Sequence, residues 1–227
     1  MFNKPFDKYY FFVMVRKMLL VLTGGLFSIT AVFVFGNLFC HLIEQKVKDI
    51  DCTTLKKYCD KNGLSRNYAI VVDFSNPSGK HRFFVCDLKN PTILASSLCA
   101  HGAGKGSSKK EPVFSNEMGS NCSSLGHYKI TGKHRMSSSG LPSFKLVGLD
   151  KTNSNAERRG ILIHSAKLIS MFRWGIYPFY LPMDKRISSG CFAVDIDMMD
   201  VIEQLVNKEQ KPILLYAYKS SPHTGGE

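Results

Sequence analysis

The sequence lacks the cysteine and histidine spacings that are typical of zinc sites. Its seven cysteines form no C-x-x-C pair, and its seven histidines form no H-x-x-H pair. Structural zinc sites usually draw their ligands from such closely spaced pairs, so the pattern argues against a metal site. An internal repeat is also missing, and the scattered Gly, Pro and Phe residues indicate a turn-rich folded domain in place of a repetitive chain.

The number of cysteines, seven, is odd, so at least one thiol stays unpaired. If the domain lies outside the cytoplasm, Cys52 with Cys59 and Cys86 with Cys99 are possible disulfides. The sequence alone does not assign these pairs.

Acidic residues are scarce relative to basic ones. Thirty Lys and Arg stand against eighteen Asp and Glu, a formal net charge of +12. Such a surface attracts anionic polymers. Nucleic acid is not the predicted partner, because the lysine pairs are dispersed and no nucleic-acid-binding motif is present. Anionic lipid headgroups or acidic wall polymers fit better, and a role in solubility alone is the alternative.

Charged side chains are absent from residues 18–43, an apolar stretch long enough to cross a bilayer as a helix. Four basic residues precede it, as in a secretory signal or signal anchor: Lys4, Lys8, Arg16 and Lys17. Bulky residues at Asn37, Leu38 and Phe39 leave no convincing cleavage site. We therefore predict an uncleaved transmembrane anchor, and the alternative is a buried core helix.

The predicted anchor divides the chain into regions. Residues 1–17 are predicted to be a cytoplasmic tail, although lysines beyond the anchor weaken this orientation. Residues 44–64 have apolar side chains at helical spacing and end at Gly63, which predicts a stalk helix. Residues 65–220 are predicted to be a folded domain, and residues 221–227 a tail.

The folded domain is predicted to be mainly β with a few short helices. Runs rich in β-branched and aromatic residues predict strands at 68–74, 82–86, 92–94, 144–149, 160–164 and 213–218. Asp195 or Asp197 is placed to cap a helix over 198–206. Residues 102–124 are rich in Gly, Ser, Lys and Asn, and so long a loop is usually functional or mobile.

Two segments have the residues needed for nucleophilic catalysis. In one, an apolar run ends on His164, and in the other Cys191 follows Ser188, Ser189 and Gly190. A lone histidine of this kind is more often a core residue, and a lone Gly-Cys pair is weak evidence. Together they are more specific, because a thiol needs a neighbouring base or positive charge to react near neutral pH.

The same segments suggest how the reaction would be supported. Gly190 lacks a side chain, so the backbone N–H groups of Gly190 and Cys191 are candidates to stabilise an oxyanion. A catalytic imidazole also needs an orienting partner on its second nitrogen. Ser165, Ser188 and a backbone carbonyl are the candidates, and the sequence does not choose among them.

The His164-Ser165-Ala166 and Ser188-x-Gly190-Cys191 segments, 27 residues apart, resemble the L,D-transpeptidase catalytic domain of YkuD type. The resemblance is to the branch that ends Ser-x-Gly-Cys-x-Ala-Val. Further matches occur in the expected order along residues 68–218, in these segments: Phe114-Ser115-Asn116, Gly119-Ser120, Ser123-Ser124-Leu125-Gly126, Tyr128, Leu146-x-Gly148-Leu149, Asn153-x-Asn155-Ala156 and Arg159.

The resemblance implies a β-sandwich-like fold and a cysteine acyltransferase of the bacterial cell envelope, without metal or cofactor. Cys191 would attack the third residue of a peptidoglycan stem peptide, and His164 would act as the base. D-Ala would leave, and a neighbouring stem amine would form a 3-3 cross-link. Hydrolysis of the same intermediate, as in an L,D-carboxypeptidase, is the alternative. The substrate is then expected to contact these residues: Arg159, Arg186, Ser189, Asn155 and Ser124.

The sequence departs from the better-known branch of that family at three positions. Ser189 stands in place of histidine, Ala193 in place of arginine and Ser165 in place of glycine. The missing arginine would bind a substrate carboxylate in bidentate fashion. Arg159 or Arg186 is the predicted substitute, and each is equally consistent with a surface charge.

Other classes of protein fit less well. A sortase-like enzyme would need a Thr-Leu-x-Thr-Cys segment, which is absent. A papain-like protease places its cysteine before its histidine, and here the order is reversed. A catalytically silent wall-binding module that kept the fold remains the alternative from a different functional class.

Overall fold

A computed structural model describes residues 50–135, 140–171 and 187–220. The predicted cytoplasmic tail, membrane anchor and C-terminal tail lie outside these ranges. Across the described ranges, every helix is too short or too polar to span a bilayer.

The described chain folds into one eight-stranded sheet with three α-helices and one 3-10 helix. The strands are β1 (Tyr68–Asp73), β2 (Phe83–Asp87), β3 (Thr92–Ser97), β4 (Gly126–Arg135), β5 (Pro142–Gly148), β6 (Leu162–Ser165), β7 (Phe192–Val194) and β8 (Leu214–Tyr218). The helices are α1 (Cys52–Lys61), α2 (Lys167–Met171), α3 (Ile196–Lys208) and the 3-10 helix Lys151–Asn153. The prediction of a mainly β domain with few helices is confirmed.

The sheet runs in the order β3-β2-β1-β8-β4-β5-β6-β7. Strands β1 and β8 are parallel, as are β6 and β7, and the other pairs are antiparallel. The sheet curls so far that Ala100, just after edge strand β3, forms a bridge with Ala193 of the opposite edge strand β7. The two edges of the sheet therefore meet beside the segment that contains Cys191.

The expected sandwich is thus one continuous curled sheet in place of two separate sheets. Its halves stay joined because β8 pairs with both β1 and β4. A register shift between Ile130 and Gly132 of β4 marks a bulge, and bulges bend a strand and increase its twist. Strand β4 itself was not predicted, because Gly126, Gly132 and several polar residues interrupt its apolar pattern.

The central core fills the inside of the curled sheet and is closed by α3. Alternate residues of β1 and β2, such as Ile70, Val72, Phe83 and Val85, point into this core. The intervening residues of the same strands point outward and are covered by α1. Both faces of these strands are buried, which explains why their sequences read as continuous apolar runs.

Helix α1 is the described part of the predicted stalk. Its Leu55 and Cys59 are buried in the outer core. The helix ends at Lys61 with Asn62 as its C-cap, and Gly63 follows with a φ of +66°. Because α1 packs on the sheet, it contributes to the stability of the domain and does not stand clear of it.

Helix α3 follows directly after β7 and begins at the predicted cap. The Asp195 carboxylate accepts a hydrogen bond from the Met198 backbone N–H at 2.9 Å, a type of cap that contributes about 1 kcal/mol. Its other oxygen accepts the Ser97 hydroxyl at 2.6 Å. Asp195 therefore joins the end of β3 to the end of β7, four residues after Cys191.

Candidate active site

Strands β6 and β7 bring the two predicted catalytic residues to one face of the sheet. Ile163 pairs with Phe192, and both side chains point into the central core. His164 pairs with Ala193 on the opposite face, and Cys191, two residues before Ala193, shares that face. Cys191 and His164 are therefore diagonal neighbours on that face, offset by two residues along adjacent segments of the chain.

The Cys191 thiol lies beside the start of β6 and is partly exposed. Its Sγ accepts the Leu162 backbone N–H at 3.4 Å and lies 3.7 Å from the Gly160 carbonyl oxygen, to which the S–H donates. Burial raises the pKa of the thiol above its ordinary value, while the Leu162 N–H and the positive charge of Arg159 act in the opposite direction. The resting form at neutral pH is therefore the thiol.

The His164 imidazole is buried and is oriented by a backbone carbonyl. Its Nδ1 lies 2.9 Å from the Ser165 carbonyl oxygen. A carbonyl oxygen only accepts, so Nδ1 has the proton and Nε2 has the free lone pair. Burial lowers the pKa of His164 below its ordinary value, against the Ser165 hydrogen bond. In the described part of the chain, no hydrogen bond joins His164 to Cys191.

The serine hydroxyls proposed to orient His164 do not do so. The Ser165 hydroxyl is buried and has no hydrogen-bond partner among the described residues. The Ser188 hydroxyl donates to the Cys191 carbonyl oxygen at 2.7 Å and accepts the Gly190 N–H at 3.2 Å. Ser188 therefore shapes the turn before the thiol, and the Gly190 N–H is already occupied. Of the two predicted oxyanion donors, the Cys191 N–H is the one that remains.

Gly190 is required by the turn. Its φ is +116°, and a Cβ at this position would lie 2.7 Å from the Cys122 carbonyl oxygen and 2.9 Å from the Ile161 side chain. Both the backbone conformation and the contacts exclude a side chain. The chain can thus pass close to a second loop and still direct the Cys191 thiol outward.

We expect Gly190→Ala to lower the free energy of unfolding by about 2–5 kcal/mol, from backbone strain and overlap together. Gly63→Ala is the matched control, because Gly63 has a φ of +66° with no atom within 4 Å of an added Cβ. That change should cost only about 1–2 kcal/mol. Urea unfolding of both variants measures the difference. Equal losses would contradict the close packing around Gly190.

The long loop predicted at residues 102–124 packs tightly against this turn. A Cβ on Gly102 would lie 2.3 Å from the Asn121 carbonyl oxygen and 2.8 Å from the Gly190 α-carbon. A Cβ on Gly104 would lie 2.3 Å from the Cys122 sulfur. Three backbone segments therefore meet without intervening side chains. The two glycines at 102 and 104 were the sequence signal for this junction.

The Arg159 guanidinium holds the same loop in place. One terminal nitrogen donates to the Ser115 carbonyl oxygen at 2.7 Å and to the Ser124 hydroxyl at 3.4 Å. The other donates to the Ser120 hydroxyl at 3.3 Å and to the Cys122 carbonyl oxygen. The four N–H groups of the two terminal nitrogens are thus used inside the protein. The bidentate grip on a substrate carboxylate predicted for Arg159 is not available in this arrangement.

The other predicted substrate contacts have different outcomes. The Asn155 amide and backbone N–H bind Asn116 at 3.0 and 3.1 Å, which makes Asn155 part of the loop scaffold. Ser124 is buried and shares a 2.8 Å hydrogen bond with the Tyr128 hydroxyl. Ser189 is exposed beside the thiol, as a substrate contact would require. Arg186 lies outside the described residues.

We expect Arg159→Lys to loosen the loop, because an ammonium cannot reproduce the planar fork of donors. The free energy of unfolding should fall by about 1–3 kcal/mol, and hydrogen exchange should increase in residues 115–124. Arg158→Lys is the control, since the neighbouring Arg158 is exposed. Unchanged exchange in the 115–124 segment would show that the guanidinium contacts do not hold the loop.

A buried pair missed by sequence reasoning holds the other end of the loop. The Arg82 guanidinium donates to the Cys99 carbonyl oxygen and, at 2.8 Å, to Nδ1 of His101. The other ring nitrogen of His101 donates to the Ser108 carbonyl oxygen at 2.9 Å. Burial and the charge of Arg82 lower the pKa of His101 to about 3, so the imidazole stays neutral. Sequence analysis did not predict this pair, because Arg82 and the loop come together through tertiary contacts that no local motif indicates.

The described residues contain no group of three His, Cys, Asp or Glu side chains that could hold a metal ion. The six cysteines in the described ranges are all free, so neither of the two suggested disulfides is present in this structure.

Comparison with known proteins assigns the chain to a family. The profile of the YkuD_2 family, described as the L,D-transpeptidase catalytic domain, matches residues 41–218. The chain belongs to this family, and the predicted L,D-transpeptidase catalytic domain is confirmed. A comparison with curated proteins returns no match.

Solved structures with detectable similarity include several from bacteria. The L,D-transpeptidase of Xylanimonas cellulosilytica is 12% identical, with a TM-score of 0.39, and the match covers 71% of this chain and 68% of that one. The helical cell shape determining protein Pgp2 of Campylobacter jejuni, as a K307A mutant, is 14% identical, with a TM-score of 0.44 and coverage of 68% and 48%. The catalytic domain of the E. faecium L,D-transpeptidase is 16% identical, with a TM-score of 0.33 and coverage of 68% and 98%.

Proposed function

We propose that this chain is a peptidoglycan L,D-transpeptidase whose Cys191 is acylated by the third residue of a stem peptide. Family membership supports the reaction class. The observation that carries the assignment of residues is the shared outer face of β6 and β7, where Cys191 is partly exposed and His164 is its diagonal neighbour. The remaining site residues act by shaping the turn and the loop around this pair.

His164 would act as a general base through Nε2. Its Nδ1 is held by the Ser165 carbonyl oxygen, which fixes the tautomer with the lone pair on Nε2. The pKa of His164 is lowered and that of Cys191 is raised. A neutral imidazole and a neutral thiol are therefore the resting pair. The thiol proton moves to Nε2 as the sulfur attacks, in place of a preformed thiolate.

Acylation would begin with attack of the sulfur on the peptide. Sγ bonds to the carbonyl carbon of the third residue, the thiol proton goes to Nε2 of His164, and the carbonyl electron pair moves to its oxygen. The Cys191 N–H would donate to that oxygen. When the C=O bond forms again, the C–N bond breaks and the protonated imidazole delivers its proton to the leaving D-Ala amine. A thioester on Cys191 remains.

The acceptor decides between two activities of the same site. An amine from a second stem peptide would give a 3-3 cross-link, and water would give L,D-carboxypeptidase activity. We place both reactions in the bacterial cell envelope, outside the membrane. Anchoring by residues 18–43 stays a prediction.

The test uses the full chain incubated with a disaccharide tetrapeptide, with and without an amine acceptor, followed by mass spectrometry. We expect D-Ala release and a thioester on Cys191, with cross-linked product when the amine is present. Release without cross-linking under both conditions would favour the carboxypeptidase. Binding without release or adduct, by folded protein, would overturn the proposal in favour of a silent wall-binding module.

A further inference from the structure

The outer face of the sheet next to Cys191 has one basic side chain whose place follows from the strand register. Lys145 of β5 pairs directly with Leu162 of β6, and the Cys191 sulfur contacts the backbone N–H of Leu162 from the other side. Phe144, the neighbour of Lys145, points into the central core, so Lys145 points to the face that Cys191 shares. Cys191, Leu162 and Lys145 therefore form one row across three strands.

The distance across this row suits a peptide substrate. Two strand spacings separate the backbones of Cys191 and Lys145, about 10 Å. The flexible four-carbon stem of a lysine can direct its ammonium back over Leu162 toward the thiol. A peptide whose carbonyl lies at the sulfur would thus present a carboxylate, one residue away, to this ammonium.

The charge of Lys145 is available for a ligand. The side chain is exposed. Within residues 50–135, 140–171 and 187–220, the salt bridges involve Arg66, His127, Lys133 and Lys219. In the same ranges, the Lys145 ammonium has no hydrogen-bond partner, and the Thr131 hydroxyl bonds to the Lys145 backbone carbonyl oxygen.

One alternative cation of the described chain, whose charge acts on the Cys191 thiol, is already used. Arg159 gives its four terminal N–H groups to residues 115–124. Ala193, which stands where the better-known branch of the family has an arginine, has no charge to offer. Arg186, the other predicted substitute, lies outside the described residues. Among the residues that the structure describes, a cation near the reacting carbonyl would therefore come from another side chain of the same face.

We propose that Lys145 binds a carboxylate of the stem peptide beside the bond that Cys191 attacks. This inference rests on the proposed function and names a substrate-binding residue for it. The chemical class of the ligand is a peptide carboxylate. It has two possible sources, the C-terminal carboxylate of the leaving D-Ala and the side-chain carboxylate of the third residue.

The experiment compares Lys145→Gln in the full chain with two matched variants. Lys145→Arg keeps the charge. Lys89→Gln removes an exposed charge from the turn between β2 and β3, away from β5 and β6. Three tetrapeptides serve as substrates: the free acid, the C-terminal amide and the side-chain amide of the third residue.

For the free acid, we expect Lys145→Gln to lower kcat/KM about five- to tenfold, the effect of one charge-assisted hydrogen bond at a partly exposed site. Lys89→Gln should leave kcat/KM for the free acid unchanged, and Lys145→Arg should retain most of the wild-type kcat/KM. With the wild-type chain, one of the two amide peptides should give a kcat/KM lower than that of the free acid by a similar factor. For that peptide, Lys145→Gln should cause no further decrease in kcat/KM. That amide identifies the carboxylate.

Two results would overturn the inference. Lys145→Gln and Lys89→Gln could behave alike, or the Lys145→Gln loss could be the same for all three peptides. Binding of the tetrapeptides to Cys191→Ala, with and without Lys145→Gln, gives a readout that needs no turnover. If the wild-type chain releases no D-Ala but its binding depends on Lys145 and on one carboxylate, the proposed reaction fails and the binding site stands.

Discussion

Cys191→Ala is expected to lower the rate of D-Ala release by at least about 10⁴-fold and to abolish the thioester adduct. A nucleophile that forms a covalent intermediate has no substitute in the site, and its removal leaves only the contribution of binding and backbone donors. The expected measurement is the rate with a disaccharide tetrapeptide, together with intact-protein mass spectrometry. Binding of the peptide should survive.

The control is Cys52→Ala, which removes another thiol from the described chain. Cys52 lies in α1 under the outer core, remote from β6 and β7 in the sheet order. Its loss should leave the rate within about twofold. If Cys191→Ala kept a tenth of the activity, or lost activity and folded structure together, Cys191 would be a packing residue and the proposed mechanism would fail.

His164→Gln is expected to lower kcat/KM by about 10²–10⁴-fold, because the side chain that accepts the thiol proton is removed. His127→Gln is the control: His127 lies near the start of β4, where its ring stacks on Tyr58 of α1 and Tyr216 of β8, and the change should leave the rate of the folded protein nearly unchanged. Comparable losses in the two variants would show that an imidazole on this part of the sheet is structural.

The pH dependence follows from the directions of the two pKa shifts. The pKa of His164 lies below its ordinary value of 6.5, so kcat/KM of the wild-type chain should rise with pH through a limb below pH 6.5. Protonated imidazole cannot accept the thiol proton, which is why activity is lost on the acid side. His164→Gln should lose this limb.

The thiol gives an independent measure of the same resting state. Burial raises the pKa of Cys191 above its ordinary value of 9.0. Alkylation of the free enzyme by iodoacetamide should therefore be slow near neutral pH and should accelerate only in the alkaline range, because the thiolate is the reactive form. Rapid alkylation at pH 6 would indicate a preformed thiolate and imidazolium pair and would contradict the neutral pair.

Most strands were predictable because their pattern is local. Residues 68–74 and 213–218 are runs of β-branched and aromatic residues, and the structure places β1 and β8 there. The cap at Asp195 followed from the same kind of short-range chemistry. Strand β4 escaped prediction because it has two glycines and several polar residues, and its place is secured by pairing with β5 and β8.

The site residues divide in the same way. The residue types at 164 and 191 indicated a thiol and a base, and family membership followed from motifs in order. The functions of the surrounding polar residues did not follow. Arg159 was predicted to bind the substrate, whereas in the structure its guanidinium donates hydrogen bonds to residues 115–124. Lys145 was not predicted to be a site residue, because only its pairing with Leu162 brings it near Cys191.

The sequence by itself determined the strand-rich character of the domain, the turn that needs Gly190, and the cysteine and histidine on which the proposed acyl transfer depends. These depend on neighbouring residues, whose preferences act over a few positions along the chain. Only the tertiary structure decided which carbonyl orients His164, which loop uses Arg159, and which lysine shares the face of Cys191. Hydrogen bonds and strand register join positions that lie far apart in the chain, so their partners are set by how the sheet curls and pairs.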